Sequence, residues 1–389
     1  MDIRFADRVR NLRQSDIRRF SAQCAAIGGV NLSQGVCDQP APDAVKAAAK
    51  KAIDEDHATY TNMRGIIELR QGIAAKMTRF NGITADPETE IVVTVGTAGA
   101  FACTVLSVLN AGDEVIVFSP YYSYHVNMIE LIGGKVRYVD TLPPDWRVDS
   151  AELGAAFNER TRMVLINTPA NPSGKVFSEQ ELTQIARLAK QHDVLIVTDE
   201  IYEYITYGKP HVSIGRLPDA ADRTVTISGG SKTYAVTGWR VGYVVGPAAL
   251  CAKVSVVSDQ LYICAPAPLQ HALLAGLNLP DGYYEQMRKD YLAKRDLLAD
   301  TLRGIGFEPF VPEGSYYMLA AFEAGRYDDA TRATETILEE VGVATVPGSA
   351  FYRNPQDGRH QLRFCYAKKF EDLEEACRRL RRLPAVVGR

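Results

Sequence analysis

The chain has 389 residues, of which 46% are hydrophobic and 23% charged. This composition excludes a disordered, collagenous or coiled-coil protein and leaves room for about two domains. Forty-four basic and 47 acidic side chains give a net charge of −3, so the chain lacks the clustered basic excess with which proteins hold nucleic acid. We interpret the basic run at 378–382 as the solvated end of a helix.

The cysteines and the hydropathy pattern indicate the cellular compartment of the protein. The seven cysteines are odd in number and form no Cys-x-x-Cys pair, which favours a reducing compartment over a disulfide scaffold or zinc site. The first residues lack the apolar stretch of a signal peptide. Two uncharged windows, 91–112 and 260–280, contain glycines, prolines or polar residues that make them unsuited to crossing a membrane. We therefore expect a cytoplasmic protein that does not span a membrane.

Short β-branched runs alternate with helical patterns through the first two thirds of the chain. One helix is predicted from a capping box, Ser178-x-x-Glu181, and another begins at Asp149-x-x-Glu152. The alternation is typical of βαβ units and predicts an α/β fold with a mostly parallel, seven-stranded sheet. The seven predicted strands are 91–94, 115–118, 136–139, 163–166, 194–198, 224–227 and 241–245.

The last third has a different pattern. A long charged amphipathic helix over 281–303 precedes three strand-like pieces, at 316–321, 343–346 and 362–365, and a final helix from Glu371. We predict a smaller α+β domain here, joined by the N-terminal arm. The predicted division is 1–45 for the arm and part of the small domain, 46–280 for the large domain and 281–389 for the rest of the small domain.

In a parallel α/β sheet, ligands bind beyond the carboxyl ends of the strands. After the first strand, Gly96-Thr97-Ala98-Gly99 opens a helix, which forms either a phosphate seat or only a tight turn. The chain has neither a dinucleotide-binding G-x-G-x-x-G at this turn nor a P-loop, which disfavours nicotinamide enzymes and kinases. After the second strand, Tyr122 could stack on a flat ring or merely pack a loop.

Three later strand ends carry polar side chains. Asn171 lies in a loop stiffened by two prolines, where its amide either faces a ligand or completes a turn. Asp199 follows an apolar strand, so its carboxylate either caps a helix or meets a cation. Lys232 lies in a glycine–serine loop eight residues before Arg240, and burial there would lower the lysine pKa and favour a nucleophilic amine. Together these groups suit a cofactor with a phosphate, a protonatable ring, a phenolic oxygen and an aldehyde, as in pyridoxal phosphate.

From about Asn31 to about Leu380, the chain resembles the class I/II aminotransferases, which are fold-type I pyridoxal-phosphate enzymes of the aspartate aminotransferase superfamily. The segment 231–242 is similar to the family's S-K-x-x-x-x-x-G-W-R-x-G. Further matches are Asn171-Pro172-Ser173-Gly174, Asp199-Glu200-Ile201-Tyr202, Pro347-Gly348-Ser349-Ala350-Phe351 and Leu362-Arg363-Phe364.

The resemblance implies a role for each matching residue. Lys232 would form the Schiff base and shuttle the substrate proton, Asp199 would pair with the pyridine nitrogen and keep it protonated, and Arg363 would clamp the substrate α-carboxylate. The implied contacts of the other residues are Tyr202 and Asn171 to the phenolic oxygen, Tyr122 to the ring, Gly96, Thr97, Ala98, Ser231 and Arg240 to the phosphate, Tyr60 to the partner subunit's phosphate, and Gly35 and Asn171 to the substrate. The implied partners are an α-amino acid, a 2-oxo acid and a second copy of the chain.

Three departures from the family pattern affect the expected substrate. Gly229 replaces a frequent serine, Gly35-Val36-Cys37-Asp38-Gln39 replaces G-x-P-D-F, and 262–270 lacks the usual Ser/Thr-rich stretch. The substrate pair is therefore not implied by the resemblance. Besides transamination, the same motifs suit elimination or cyclisation of a functionalised, for example arginine-derived, amino acid. A transcription regulator is disfavoured, because only about thirty residues precede the matching region and a DNA-binding domain needs more.

Overall fold

The computed structural model describes residues 3–9 and 15–383. Its strands, labelled in chain order, are β1 (Val30–Asn31), β2 (Ile91–Val95), β3 (Glu114–Ser119), β4 (Lys135–Leu142), β5 (Arg147–Val148), β6 (Thr161–Asn167), β7 (Leu195–Asp199), β8 (Thr224–Gly229), β9 (Val241–Val245), β10 (Phe307–Phe310), β11 (Tyr317–Phe322), β12 (Val343–Ala344), β13 (Val346–Pro347) and β14 (Gln361–Cys365). The helices are α1 (Asp16–Ala26), α2 (Asp43–Asp54), α3 (Ile67–Lys76), α4 (Gly96–Val108), α5 (Ser123–Leu131), α6 (Ser150–Ala156), α7 (Glu179–Gln191), α8 (Gly230–Thr233), α9 (Ala248–Tyr262), α10 (Ala267–Leu277), α11 (Asp281–Gly304), α12 (Ala330–Val341) and α13 (Phe370–Leu380).

An eight-stranded sheet in the order β2-β9-β8-β7-β6-β3-β4-β5 forms the central layer. The strands from β8 across to β4 are parallel, while β9 runs antiparallel to both of its neighbours. All seven predicted strands are present, which confirms the mostly parallel α/β sheet. The eighth strand, β5, pairs antiparallel with β4 over two residues, too few for a sequence alternation to reveal it.

The two faces of this sheet are both buried. On β3, Val115 and Val117 belong to one apolar cluster, whereas Ile116 and Phe118 belong to the other. Successive side chains of a strand point to opposite faces, so a strand that is buried on both sides must be apolar throughout. Helices α4 and α9 pack on one face and α6 and α7 on the other.

Side-chain caps set the starts of two predicted helices. Ser178 and Glu181 form the reciprocal capping box of α7, with Glu181 N donating to Ser178 Oγ at 3.3 Å and Ser178 N donating to Glu181 Oε2 at 2.8 Å. Asp149 accepts from the backbone N–H groups of residues 151 and 152 at the start of α6. The predicted final helix is α13, whose last turn contains Arg378 and Arg379.

A second, antiparallel sheet in the order β10-β11-β14-β13 lies in the C-terminal part of the chain. The N-terminal segment joins this part, because β1 pairs in parallel with β12, Val30 opposite Val343. Strand β10 was not predicted, and Pro309 interrupts its pattern. The domain limits at 45 and 280 stay a prediction. Among the described residues, every helix is too short or too polar to cross a membrane.

Candidate active site

The carboxyl ends of the central parallel strands bring the predicted polar residues to one edge of the sheet. Asn167 at the end of β6 is paired with Asp199 at the end of β7, and Asp199 is paired with Ile227 in β8. Asn167 Nδ2 also donates to the Asp199 carbonyl at 3.0 Å. This register places the loops that carry Asn171 and Lys232 on either side of Asp199, as expected for a ligand site in an open α/β sheet.

Asp199 is buried, and its side-chain partner, His125, was not predicted from the sequence. Its Oδ2 lies 3.1 Å from His125 Nε2, and its Oδ1 accepts the backbone N–H of Ile201 at 3.2 Å. His125 projects from α5, where its ring packs against Phe101 with the centroids 4.7 Å apart. These contacts fix the carboxylate, whose remaining lone pairs can accept from a protonated ring nitrogen.

Lys232 lies on the single turn of α8, directly after β8. Its Nζ donates to the Gly35 carbonyl at 3.0 Å and lies 5.8 Å from the centre of the Tyr316 ring. Burial lowers the pKa of Lys232, because removing the ammonium from water disfavours the charged form. The amine is therefore more readily deprotonated than a surface lysine, as a nucleophile or proton acceptor must be.

Arg363 is completely buried and has only neutral partners among the described residues. Its Nη1 donates to Asn171 Oδ1 at 2.9 Å, and its Nη2 donates to the Ser33 carbonyl. Its Nε lacks a hydrogen-bond partner within residues 3–9 and 15–383. Within the described part of the chain, Arg363 therefore forms no salt bridge. A buried charge is costly unless it is compensated, so this guanidinium suits an incoming anion.

A pocket of backbone N–H groups and a guanidinium, which suits an anion, forms where β2 enters α4. Gly96 has a φ of +67°, and a Cβ at this position would collide with the Arg240 guanidinium. Gly242 is equally constrained, because its Cβ would lie 2.6 Å from Thr97 N. The N-terminus of α4 has no side-chain cap and no acidic residue in its first turn, so its N–H groups and the arginine can face an anion together.

The aromatic and hydroxyl side chains fill the space between these groups. Tyr202 donates its hydroxyl to Tyr317 across 3.2 Å, and Tyr122 contacts the His125 ring edge-on with the centroids 5.4 Å apart. Ser231 is buried in α8. Tyr317 and His125 were not predicted as site residues, because their places depend on contacts between segments far apart in the chain.

Two predicted residues lie at the margins of this arrangement. The Gly35 carbonyl accepts from both Lys232 Nζ and the Tyr316 hydroxyl, at 3.0 and 3.1 Å. Tyr60 is 77% exposed and lines a surface depression together with Arg240 and Tyr262. A single chain thus presents Tyr60 outward beside the pocket formed by Arg240 and the start of α4.

The residues present fit pyridoxal phosphate. The uncapped helix end and Arg240 suit its phosphate, the Asp199 carboxylate suits its ring nitrogen, and the lysine amine suits its aldehyde. The unpartnered Nε of Arg363 suits the carboxylate of a substrate. Fold and site together define a pyridoxal-phosphate enzyme of fold type I.

Comparison with known proteins gives the family. The sequence model described as "Aminotransferase class I and II" matches residues 27–380. The probable N-succinyldiaminopimelate aminotransferase DapC of Mycobacterium tuberculosis (strain ATCC 25618 / H37Rv) is 36% identical over 386 residues, covering 96% of this chain and 97% of the relative. The aspartate/prephenate aminotransferase of Thermus thermophilus is 36% identical, with 97% and 95% covered. The structure of N-succinyldiaminopimelate aminotransferase from Mycobacterium tuberculosis matches with a TM-score of 0.95 at 35% identity, over 98% of this chain and 100% of that one.

The chain therefore belongs to the aminotransferase class I and II family. It is an enzyme that uses pyridoxal 5′-phosphate to move an amino group between an α-amino acid and a 2-oxo acid. The expected fold and cofactor are thereby confirmed.

Proposed function

We propose that the aminotransferase reaction of this chain takes place at the edge of the large sheet, with Lys232 attaching the cofactor through a Schiff base at Nζ. The observation that carries the proposal is Arg363, a fully buried guanidinium with neutral partners and one unpartnered N–H among the described residues. A planar guanidinium binds a carboxylate through two parallel hydrogen bonds. The α-carboxylate, which every α-amino acid and 2-oxo acid has, supplies the missing anion.

The other site residues would each contact a different part of the cofactor or substrate. Asp199 holds a proton at the pyridine nitrogen, Tyr202 and Asn171 donate to the phenolic oxygen, and Tyr122 lies against the ring. Thr97, Ala98, Ser231 and Arg240 hold the phosphate, with Gly96 leaving room for the arginine. Gly35 and Asn171 border the substrate.

The bound cofactor supplies an electron sink for the negative charge left when the substrate α-carbon loses its proton. Once the substrate amino group has taken its place on the cofactor, the freed Lys232 Nζ would accept that proton, and the pKa of Lys232, which burial lowers, suits the amine to this role. The Asp199 carboxylate keeps the ring nitrogen protonated, and His125 orients the carboxylate through the 3.1 Å contact.

A test of this function follows both substrates. The purified protein with bound cofactor is mixed with single amino acids, and the absorbance of the cofactor is recorded without and with a 2-oxo acid. Transamination predicts that each amino acid converted consumes one 2-oxo acid and releases no ammonia. Ammonia release, or conversion of more than one equivalent of amino acid per active site without a 2-oxo acid, would instead indicate elimination or cyclisation.

The enzyme acts as a homodimer with shared active sites in this proposal. Large apolar side chains are exposed on neighbouring parts of the surface, in the segment before α3 (Tyr60, Met63), on α4 (Leu106) and on α9 (Val256, Leu261, Tyr262). The α4 and α9 helices pack against each other, and Tyr60 and Tyr262 line one depression. Contiguous apolar surface is typical of a subunit interface.

Mixed dimers test whether Tyr60 serves the partner's site. A Lys232→Ala chain combined with a Tyr60→Phe chain has one fully wild-type site if Tyr60 reaches across the interface. The mixture should then be more active than either variant alone. Activity no higher than the sum of the separate variants would show that Tyr60 serves its own chain.

We further propose a cytoplasmic location. All seven cysteines are free, and six of them are buried, a pattern typical of proteins from a reducing compartment. Cell fractionation with an antibody to the chain tests this, and recovery in a membrane or extracytoplasmic fraction would contradict it.

A further inference from the structure

Tyr317 contacts three of the residues assigned to the active site. It is the first residue of β11, and its side chain is buried. Its hydroxyl lies 3.2 Å from that of Tyr202, and its ring lies under the Arg363 guanidinium, 4.4 Å from the ring centre to Cζ.

The backbone at Gly35 leaves room for this hydroxyl. A Cβ at Gly35 would overlap the Tyr317 hydroxyl oxygen, so the hydroxyl rests directly against the Gly35 α-carbon. Within residues 3–9 and 15–383, Tyr202 is the one hydrogen-bond partner of the Tyr317 hydroxyl. The position of the hydroxyl is therefore set from two sides.

The two phenols can form a directional chain. Burial raises the pKa of Tyr202 and that of Tyr317, so both hydroxyls keep their protons. A phenol has one proton to donate and can accept another. In the structure the Tyr202 hydroxyl donates to that of Tyr317. When Tyr202 turns its proton to a phenolic oxygen of a ligand instead, its own oxygen becomes free to accept, and the bond between the two phenols reverses so that Tyr317 donates to Tyr202. Accepting a hydrogen bond strengthens the bond that a hydroxyl donates.

We propose that Tyr317 is a positioning residue that links the two ends of the active site, its hydroxyl donating to Tyr202 and its ring supporting the Arg363 guanidinium. The hydroxyl strengthens the hydrogen bond from Tyr202 to the phenolic oxygen of the cofactor. The Tyr317 ring packs against the Arg363 guanidinium, and the centre of the Phe351 ring lies 4.8 Å from Arg363 Cζ. This inference rests on the proposed function, which assigns Tyr202 and Arg363 their ligands.

The hydroxyl is tested with Tyr317→Phe, which keeps the ring. A donor to the phenolic oxygen favours the deprotonated state of the bound chromophore, in which that oxygen carries the full negative charge. Weakening the donor should therefore raise the midpoint of the cofactor's absorbance titration, by about 0.2–0.6 pH unit. An unchanged or lowered midpoint would overturn the role of the hydroxyl, as would loss of the cofactor from a variant that remains folded.

Tyr284→Phe is the matched control. It removes a hydroxyl from another buried tyrosine pair, in which the oxygens of Tyr234 and Tyr284 are 3.0 Å apart. Its midpoint should equal that of the wild type, and a shift as large as that of Tyr317→Phe would show a general effect of losing a buried hydroxyl. In a Tyr202→Phe background, Tyr317→Phe should cause no further shift, since Tyr202 transmits the effect.

The ring is tested with Tyr317→Leu and with propionate, a carboxylate without an amino group. The dissociation constant of propionate, measured from the change it causes in the cofactor spectrum, should rise about threefold to thirtyfold in Tyr317→Leu, because the cation–π support is lost. Tyr317→Phe should leave this constant unchanged. Equal constants for wild type and Tyr317→Leu would refute support of the guanidinium by the ring.

Different results would refute the role of Tyr317 and the proposed function. A wild-type protein in which Lys232 carries no cofactor would refute the proposed function itself. A wild type whose bound cofactor titrates normally, with a midpoint that Tyr317→Phe does not move, would refute only the role of Tyr317.

Discussion

Two groups of buried charged side chains in this molecule are compensated in different ways. One is a buried ionic network, which consists of Lys76, Asn81, Glu200, Glu203, His211, Ser213 and Ser228. The other comprises the charged residues of the candidate site, Lys232, Asp199 and Arg363. Both groups contain side chains that are almost inaccessible to solvent, with Lys76 1% exposed and Arg363 0%.

The ionic network provides its own counter-charges. Lys76 Nζ lies 2.6 Å from Glu203 Oε1 and donates to Asn81 Oδ1 at 2.8 Å. The Glu200 carboxylate accepts from Ser213 Oγ at 2.6 Å and lies 2.8 Å from His211 Nε2. Burial alone would raise the pKa of Glu203. The charge of Lys76 and the hydrogen bonds that the Glu203 carboxylate accepts outweigh this effect and hold the pKa below its usual value. The network therefore leaves little for a ligand to compensate.

The site shows the opposite balance. Lys232 donates to a backbone carbonyl, and Arg363 donates to an amide oxygen and a backbone carbonyl. No carboxylate of the described residues forms an ion pair with either side chain. A buried charge without a counter-charge is unfavourable. We therefore infer that a ligand completes the site, whereas the paired charges of the network have a structural role. Four substitutions test this contrast.

The largest effect is expected for Lys232→Ala. The variant loses both the point of attachment and the amine that moves the proton, so activity should fall by at least about a thousandfold. Borohydride treatment of the wild type should fix the cofactor on the peptide that contains Lys232, as read by mass spectrometry. An adduct on a different lysine would overturn the assignment.

Lys76→Met should affect folding and spare catalysis. Removing one partner of a buried ion pair leaves Glu203 uncompensated and should lower the free energy of unfolding by about 3–5 kcal/mol. Adding Glu203→Gln should restore part of the loss. Chemical denaturation measures stability, and kcat of the folded protein should stay near that of the wild type. Lost turnover at unchanged stability would place the network in the catalytic machinery and break the contrast.

Much of the fold could be predicted, because the signals are local. The seven strands of the large sheet are apolar runs, and the start of α7 is marked by the capping box at Ser178. Strands β5 and β1 have two residues each, and an alternation of apolar and polar residues cannot be recognised over so few positions. The loops that carry Asn171, Asp199 and Lys232 could be aligned because strand ends meet at one edge.

The missed contacts are all non-local. His125 lies on the buried face of α5, where an isolated histidine resembles an ordinary core residue, and its pairing with Asp199 depends on how α5 packs. Tyr317 reaches Tyr202 only because the start of β11 packs against the turn that follows β7. Lys76 follows Leu69 and Ile73 on the buried stripe of α3, which could have marked it as a buried cation, but Glu203 could not have been named as its partner.

Arg363→Lys keeps the charge and loses the planar fork. The kcat/KM for any α-amino acid should fall by about thirtyfold to two-hundredfold, equivalent to about 2–3 kcal/mol. The cofactor spectrum and its retention should not change, because Arg363 is assigned to the substrate alone. An amine without a carboxylate should be a poor wild-type substrate and lose little more in the variant. Release of the cofactor, or an equal loss for amine and amino acid, would contradict the carboxylate clamp.

Asp199→Ala tests the anionic member of the site and has the smallest minimum effect of the four. Unlike Glu203, which has Lys76, Asp199 has His125 and a backbone N–H as its partners among the described residues. Its carboxylate is therefore available to hold the proton on the pyridine nitrogen. Losing one charge-assisted hydrogen bond of about 1.5–3 kcal/mol should slow turnover at least tenfold to a hundredfold.

Cofactor binding separates this effect from a structural one. The variant should still attach cofactor at Lys232, because the proposed phosphate site around Gly96 and Arg240 is untouched. Turnover is compared at saturating cofactor. His125→Asn is the matched variant: it keeps the carboxylate but changes the group that orients it, so its loss should be smaller than that of Asp199→Ala. Turnover of Asp199→Ala equal to the wild type would show that this buried carboxylate, like those of the ionic network, serves the fold and not the ligand.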